Sequence, residues 1–140
     1  MRYPLIIHPP DADGIVTIEV EGLGGVTEGD GLDEALANVP DMVFEVAAGR
    51  IAHGLGFPTP PETDGRRTVA IPTVLRLKQA LLEAIEETGV SRADLARRLR
   101  IPRQRMTQLL DPAHKSRIGQ LEAALEALGR EVVLNVRKVA

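Results

Sequence analysis

The sequence lacks cysteine and tryptophan, and its aromatic residues are limited to Tyr3, Phe44 and Phe57. Without cysteine there is no disulfide and no thiolate chemistry, which fits a cytoplasmic protein. So few aromatic rings argue against the stacking platforms that hold single-stranded nucleic acid. No apolar run approaches the roughly 18 residues of a membrane span, and the amino terminus has no signal-peptide pattern. We therefore expect a cytoplasmic protein with no membrane partner.

Charge is distributed unevenly along the 140 residues. Residues 1–70 contain 12 Asp or Glu and 4 Lys or Arg, a net charge of −8, whereas residues 71–140 contain 8 and 13, a net charge of +5. Eight of those cations lie between Arg92 and Arg117. Opposite charge in the two halves favours two small domains, one suited to a polyanion and one to a basic partner.

The first half is predicted to form a small antiparallel sheet. Residues 3–8 are an apolar run, and residues 15–20 alternate with the period of two that is typical of a strand. A stretch rich in Pro, Asp and Gly separates them and predicts a hairpin. Residues 26–28 are a third candidate strand, and residues 68–71 a fourth.

One helix is predicted to cover this sheet. Apolar residues recur at helical spacing from Leu32, and Gly49 is the expected stop. Pro40 cannot donate to the carbonyl of Leu36, so we expect a kink or break there. The proline-rich residues 57–67 are the predicted linker.

No catalytic or metal-binding set is recognisable in the sequence. The glycine run 22–25 lacks a P-loop lysine and a helix directly after it, so a plain turn is the better interpretation. His8 and His53 have no partner at metal-ligand spacing. We therefore predict no catalytic residues, no metal and no cofactor, and a protein that is not an enzyme. The acidity of this half is either a solvated face or a docking surface for a basic protein.

The second half has the pattern of a helix-turn-helix. A helix is predicted over residues 73–88, followed by one over 92–99 with Ser91 as its cap, and by another that starts near Pro102 and reaches Leu110. Ala96 supplies the small residue where the two short helices would cross. Arg100 occupies the turn position where positive φ commonly favours glycine. The apolar positions around this turn are Leu95, Leu99, Ile101, Met106 and Leu109.

If Met106, Leu109 and Leu110 face the core, polar side chains of base-contacting types face outward from the second short helix. The predicted base-contacting residues are Arg103, Gln104, Thr107 and Gln108. Other cations are suited to backbone phosphates, namely Arg92, Arg97, Arg105, Lys115 and Arg117. The alternative is a solvated charged face on a small helical domain.

The carboxyl-terminal residues predict a further helix and then a strand. Helical spacing covers residues 117–128, and residues 131–137 have a strong strand pattern. Because a lone strand leaves backbone groups unpaired, this one should pair either with its copy in a second chain or with the sheet of the first half. The first option gives a homodimer, with a tetramer left open, through Val132, Val133, Leu134 and Val136.

These features together resemble HicB antitoxins of the type that ends in a helix-turn-helix domain. The resemblance covers nearly the whole chain through short motifs: Met1-Arg2-Tyr3-Pro4, Gly22-Leu23-Gly24-Gly25-Val26-Thr27-Glu28-Gly29-Asp30, Leu32-Asp33-Glu34-Ala35-Leu36, Ile71-Pro72, Ser91-Arg92-Ala93-Asp94-Leu95-Ala96-Arg97-Arg98-Leu99 and Gln120-Leu121-Glu122-Ala123-Ala124-Leu125. No single motif is diagnostic, but their order and spacing are specific.

The resemblance implies an α+β protein in two parts. Residues 1–56, with the strand at 68–71, would form a truncated RNase H-like domain that binds HicA, a small basic ribonuclease toxin. Residues 57–67 would be a linker, and residues 72–140 a helix-turn-helix domain that binds operator DNA and forms dimers. An acidic surface can occupy the place where a basic toxin holds RNA.

Two other functions compete with the antitoxin. One is a DNA-binding regulator whose first half senses a ligand or only oligomerises. The other is an RNase H-like nuclease, for which Glu19 and Glu21 alone do not supply the clustered carboxylates that metal-dependent cleavage needs.

Overall fold

The computed structural model describes residues 1–139 and divides the chain into two compact units, Met1–Pro72 and a second that begins at Thr73. The predicted linker, residues 57–67, lies inside the first unit. Its ends are tied to the sheet: the Tyr3 hydroxyl donates to the carbonyl of Pro58, and Arg66 forms a 2.6 Å ion pair with Glu21. Proline content indicated a linker but could not show these contacts.

The first unit contains a four-stranded antiparallel sheet, as the sequence predicts. Its strands are β1 (Arg2–Ile7), β2 (Ile15–Val20), β3 (Val26–Asp30) and β4 (Thr68–Ala70), in the order β3-β2-β1-β4. Leu5 pairs with Val20 across β1 and β2. In the hairpin between these strands, the Asp11 carboxylate accepts the N–H groups of Asp13 and Ile15, each at 2.9 Å. This bonding is why an Asp-rich segment turns here.

One helix, α1 (Leu32–Ala52), packs on β2 and β3. It buries a stripe at steps of four, consisting of Ala35, Val39, Val43, Ala47 and Ile51. Opposite it, β2 buries Val16, Ile18 and Val20, the alternate residues of a strand with one covered face. The helix approaches β3 most closely at Gly29, where a Cβ atom would overlap the backbone of Ala35.

Two features of α1 differ from expectation. Of the kink or break expected at Pro40, the break is not found, because the helix continues through this residue. The expected stop at Gly49 is wrong, because the helix ends at Ala52. Pro40 is exposed, and the buried stripe continues on both sides of it at Val39 and Val43. The packing of this stripe on the sheet compensates for the one hydrogen bond that Pro40 cannot make.

The second unit is a cluster of four helices: α2 (Thr73–Thr88), α3 (Arg92–Leu99), α4 (Arg103–Leu110) and α5 (Ile118–Ala127). Each lies where helical spacing predicts it, to within one or two residues. All four contribute to one apolar core, in which Leu81, Leu95, Met106 and Leu121 are almost completely buried. None of the helices in residues 1–139 combines the length and the apolar character that crossing a membrane requires.

The predicted carboxyl-terminal strand is not formed in this chain. Residues 130–139 have no regular secondary structure, and the sheet of the first unit contains no strand from this tail. A strand needs a neighbouring ladder, and the tail has none among the described residues of a single copy. Val132 packs against the helical core, whereas Val133, Leu134 and Val136 are 79%, 79% and 95% exposed.

Candidate nucleic-acid interface

The start of α3 is fixed by its cap. Ser91 has an extended backbone, and its hydroxyl accepts the N–H of Asp94 at 3.0 Å, as the sequence predicts. The carboxylate of Asp94 lies in the first turn, where it complements the helix dipole. Leu95 and Ala96 are the buried residues of the helix and Leu99 packs partly against the core, whereas Arg92, Arg97 and Arg98 are exposed.

The turn between α3 and α4 requires a left-handed residue. Arg100 has φ 55° and ψ 43°, and the following N–H, of Ile101, donates to the carbonyl of Ala96 at 3.0 Å. Holding an arginine in this conformation costs on the order of 1 kcal/mol. Pro102 then has an extended backbone and accepts the N–H groups of Arg105 and Met106 through its carbonyl. It therefore precedes α4 as its cap residue and is not part of the first turn.

Helix α4 buries one face and exposes the other. Met106, Leu109 and Leu110 are buried, as predicted. Arg103 and Gln104 are exposed at the start of the helix, and Thr107 is exposed one turn later. The Thr107 hydroxyl donates to the carbonyl of Arg103 at 3.2 Å, which leaves its methyl group as the part free for an apolar contact.

Gln108 is less exposed than the other polar residues of α4 with which it was predicted to face outward, because the structure leaves it only partly exposed. Its backbone carbonyl accepts hydrogen bonds from outside the helix, which places this end of α4 against neighbouring segments. Gln108 thus lies at the border of the exposed face rather than on it.

Most of the predicted phosphate-binding cations are exposed. Within residues 1–139, no ion pair engages Arg92, Arg103, Arg105, Lys115 or Arg117. Arg97 is different because it pairs with Asp94 within α3. An uncompensated cation is free to pair with an anion, whereas Arg97 would first exchange its carboxylate partner.

Three of these cations border a single concave site of about 420 Å³. Arg105 contributes from α4, Lys115 from the loop after α4, and Arg117 from the residue before α5. No carboxylate lines it within the described chain, and its other polar lining residues are Gln108, His114, Ser116 and Gln120. We call this site the basic depression; its positive charge is suited to a phosphate group.

Lys78 is a residue that the sequence analysis missed. This α2 residue is completely buried, and its Nζ atom donates to the carbonyl oxygens of Gln108 at 3.2 Å, Asp111 at 2.5 Å and His114 at 2.6 Å. One signal was present: Lys78 follows Leu75 by three and precedes Leu81 by three, and therefore belongs to the buried stripe.

Burial lowers the pKa of the Lys78 ammonium below its usual value of 10.5, and the nearby Asp111 carboxylate opposes this shift. An ammonium group has three N–H donors, which match the three carbonyl acceptors around it. Within residues 1–139 no buried side-chain nitrogen or oxygen lacks a hydrogen-bond partner. The buried charge is therefore fully hydrogen-bonded, which is the condition under which proteins tolerate one.

The first unit presents an acidic surface, in contrast to the basic depression of the second unit. Between Arg2 and Arg50 the chain has ten Asp or Glu and no Lys or Arg. Two of these carboxylates are already occupied, since Glu19 lies 2.6 Å from His8 and Glu21 pairs with Arg66. Several others are exposed and form no ion pair within residues 1–139. Of those on β3 and α1, Glu34 accepts the N–H of Asp30 at 3.1 Å; the remaining ones, which we call the acidic edge, are Glu28, Asp30, Asp33, Asp41 and Glu45.

The described residues contain no group of three or more His, Cys, Asp or Glu side chains placed to hold a metal ion. Glu19 and Glu21 lie on the strand β2 and directly after it, and each has a basic partner. Their environment gives no support to metal-dependent cleavage.

Curated relatives named Antitoxin HicB match most of the chain. The Pseudomonas fluorescens protein is 34% identical over 110 residues, which is 77% of this chain and 75% of the relative. Antitoxin HicB 2 of Photorhabdus laumondii is 30% identical over 134 residues, 96% and 95% of the two chains. Antitoxin HicB of Escherichia coli strain K12 is 27% identical over 135 residues, 96% and 98%. No family model matches the chain.

The chain belongs to the HicB antitoxin family. The resemblance drawn from its motifs is thereby confirmed, and matches that span 95–98% of two relatives show that it holds for both halves of the chain.

Proposed function

We propose that this protein neutralises a small basic ribonuclease toxin with its first unit and represses its own operon by binding operator DNA with its second. The observation that carries the proposal is similarity to HicB antitoxins over both units. It acts in the cytoplasm by binding alone, not as an enzyme and without a cofactor. In this proposal the first unit is a truncated RNase H-like domain.

The DNA-binding part is supported by the geometry of α3 and α4. In this proposal the two helices and the left-handed turn at Arg100 are the helix-turn-helix, and the second helix exposes Arg103, Gln104 and Thr107. Arginine can bond guanine with two hydrogen bonds, glutamine can do the same with adenine, and a threonine methyl can touch thymine. The basic depression lies directly beside this face and would hold a backbone phosphate.

The toxin-binding part is supported by charge. Because the acidic edge has no ion-pair partner within residues 1–139, its carboxylates are available to a cationic protein surface. A ribonuclease holds RNA with such a surface, so a protein that covers it with carboxylates competes with the RNA. Charges at the solvent-exposed edge of a protein–protein interface increase the association rate more than they increase the affinity.

Dimerisation through the carboxyl-terminal tail completes the proposal. Val133, Leu134 and Val136 are exposed although they are apolar, and the tail has unpaired backbone groups. Pairing of two tails, with Val132 beside the core of each copy, would make a two-fold dimer. A helix-turn-helix dimer contacts half-sites about 34 Å apart, which predicts a palindromic operator.

The antitoxin function is tested by expressing the chain together with the small basic protein encoded beside it. We expect the two to purify as a complex, and we expect the chain to abolish RNA cleavage by that protein. The matched variant replaces Glu28, Asp30, Asp33, Asp41 and Glu45 with their amides, which removes charge but preserves shape. Slower association that loses its salt dependence would support the acidic edge. Failure of the wild-type chain to bind or inhibit the neighbouring protein would refute the antitoxin function.

A further inference from the structure

We propose that Lys78 is a positioning residue for DNA binding, because its ammonium holds the end of α4 and the following loop in the arrangement that forms the basic depression. This proposal rests on the proposed function of the second unit as a DNA-binding domain. Lys78 itself is completely buried and cannot reach DNA, so it acts only through the residues that it holds.

The three acceptors of Lys78 define what it fixes. The Gln108 carbonyl belongs to the last turn of α4, where helical carbonyls have no partner within the helix. The Asp111 and His114 carbonyls belong to the loop that leads to α5. One side chain therefore joins α2 to α4 and to both ends of the loop segment 111–114.

The depression is built from the segment that Lys78 holds. Lys115 follows His114 directly and Arg117 lies two residues further on, and Arg105 lies on the same helix as Gln108, one turn earlier. If the His114 carbonyl lost its donor, the backbone that carries Lys115 and Arg117 would be free to move away from Arg105. The three cations would then be ordered only when DNA binds, at a cost in affinity.

Simple core packing does not explain a lysine at this position. Position 78 lies on the buried stripe of α2, where an apolar side chain of similar length would fill the same volume without burying a charge. Such a residue cannot donate to three carbonyl groups. What the ammonium adds is a fixed loop conformation, and the function that a fixed loop serves here is the placement of cations.

The loop has further hydrogen bonds that make its order measurable. The Ala113 N–H donates to the Asp111 carboxylate at 2.9 Å, and the His114 N–H donates to the Asp111 carbonyl at 3.1 Å. Protection of these two amides from hydrogen exchange reports directly on the loop. In the free wild-type chain we expect both to be protected; exchange at the rate of an unfolded peptide until DNA is added would overturn the proposal without any variant.

The variant test replaces Lys78→Met, with Lys138→Met in the exposed tail as the matched control. Hydrogen exchange, operator affinity and its salt dependence are measured for each. In Lys78→Met we expect faster exchange confined to residues 108–117, operator affinity lower by roughly tenfold, and a salt slope smaller by about one to two, since each phosphate contact contributes about 0.9 to that slope. Lys138→Met should leave the exchange of residues 108–117 unchanged.

Combining Lys78→Met with substitutions of the phosphate-binding residues distinguishes a positioning role of Lys78 from a general contribution to stability. If Lys78 acts through Lys115 and Arg117, then Lys78→Met should weaken the Lys115→Ala/Arg117→Ala variant much less than it weakens the wild-type chain. Fully additive losses, or an unchanged salt slope in a folded Lys78→Met chain, would refute its positioning role while leaving DNA binding intact. Absence of specific DNA binding by the wild-type chain would instead refute the proposed function, and the role of Lys78 with it. If Lys78→Met does not fold, the test is the hydrogen exchange of the Ala113 and His114 amides in the free wild-type chain.

Discussion

The Nζ atom of Lys78 lies 2.6 Å from the carbonyl oxygen of His114, so a buried side chain of α2 is bonded to the loop that leads from α4 to α5. His114 is directly followed by Lys115, a predicted phosphate-binding residue. A contact inside the helical core thereby bears on the position of an exposed cation. This relationship connects the stability of the second unit with its proposed binding surface.

The stability contribution of Lys78 should depend on pH. Burial lowers the pKa of Lys78 in the folded chain, whereas the unfolded chain keeps the usual value of 10.5. Between these two values the unfolded chain binds more protons, so stability from this group rises with pH. We expect the unfolding free energy of the wild-type chain to improve relative to Lys78→Met from neutral pH to pH 10.5. Urea unfolding of both chains at several pH values measures this difference in unfolding free energy. A difference that stays constant with pH, or that shifts in favour of Lys78→Met as pH rises, would contradict the burial of a charged lysine.

The cap of α3 should contribute measurably to stability. Ser91→Ala removes the acceptor of the Asp94 N–H and should destabilise the chain by about 1 kcal/mol. Ser91→Asp retains an acceptor at the same place and should restore most of that loss. Thermal and urea unfolding followed by circular dichroism measure both variants. Equal stability of the alanine and aspartate variants would show that the cap contributes nothing.

Gly29 should not tolerate any side chain. Gly29→Ala places a methyl group against the backbone of Ala35, which cannot move without lifting α1 from the sheet. We expect a loss of roughly 1–3 kcal/mol. The matched control is Gly49→Ala in α1, where a Cβ atom would meet open space. This substitution should stabilise the chain by about 0.5–1 kcal/mol. The prediction would be wrong if both substitutions changed unfolding in the same direction.

At the left-handed turn between α3 and α4, by contrast, a substitution should stabilise the chain. Arg100→Gly removes the strain of an arginine at φ 55° and should stabilise the second unit by up to about 1 kcal/mol, reduced by the greater freedom of glycine in the unfolded chain. The control is Arg92→Gly at the start of α3, which should destabilise it. A loss of stability in Arg100→Gly would mean that the arginine side chain makes a compensating contribution.

Local patterns in the sequence predict most of the elements. The strands at residues 15–20 and 26–28 and the helices over 73–88 and 92–99 follow from side-chain periodicity and from the Ser91 cap, which are properties of neighbouring residues. The positive φ of Arg100 follows from the demands of the turn that it occupies. Where the conformation of a segment depends only on neighbouring residues, the sequence is sufficient to predict it.

The misses come from contacts between distant residues. The continuity of α1 through Pro40 depends on packing against β2 and β3, and this packing outweighs a local rule. Lys78 reaches carbonyl groups that lie 30, 33 and 36 residues away, and backbone acceptors leave no signature in the sequence. The strand predicted for residues 131–137 needs a partner that a single chain does not provide.

The central claim is that α4 contacts the bases of an operator, and the most direct measurement of it compares two variants on operator and unrelated DNA. For Arg103→Ala/Gln104→Ala we expect specific affinity to fall by about 1–3 kcal/mol per lost two-bond contact while binding to unrelated DNA changes little. Lys115→Ala should instead weaken both DNAs alike and reduce the salt slope by about one. Operator affinity unchanged by the double substitution would contradict the assignment of α4 as the base-contacting helix.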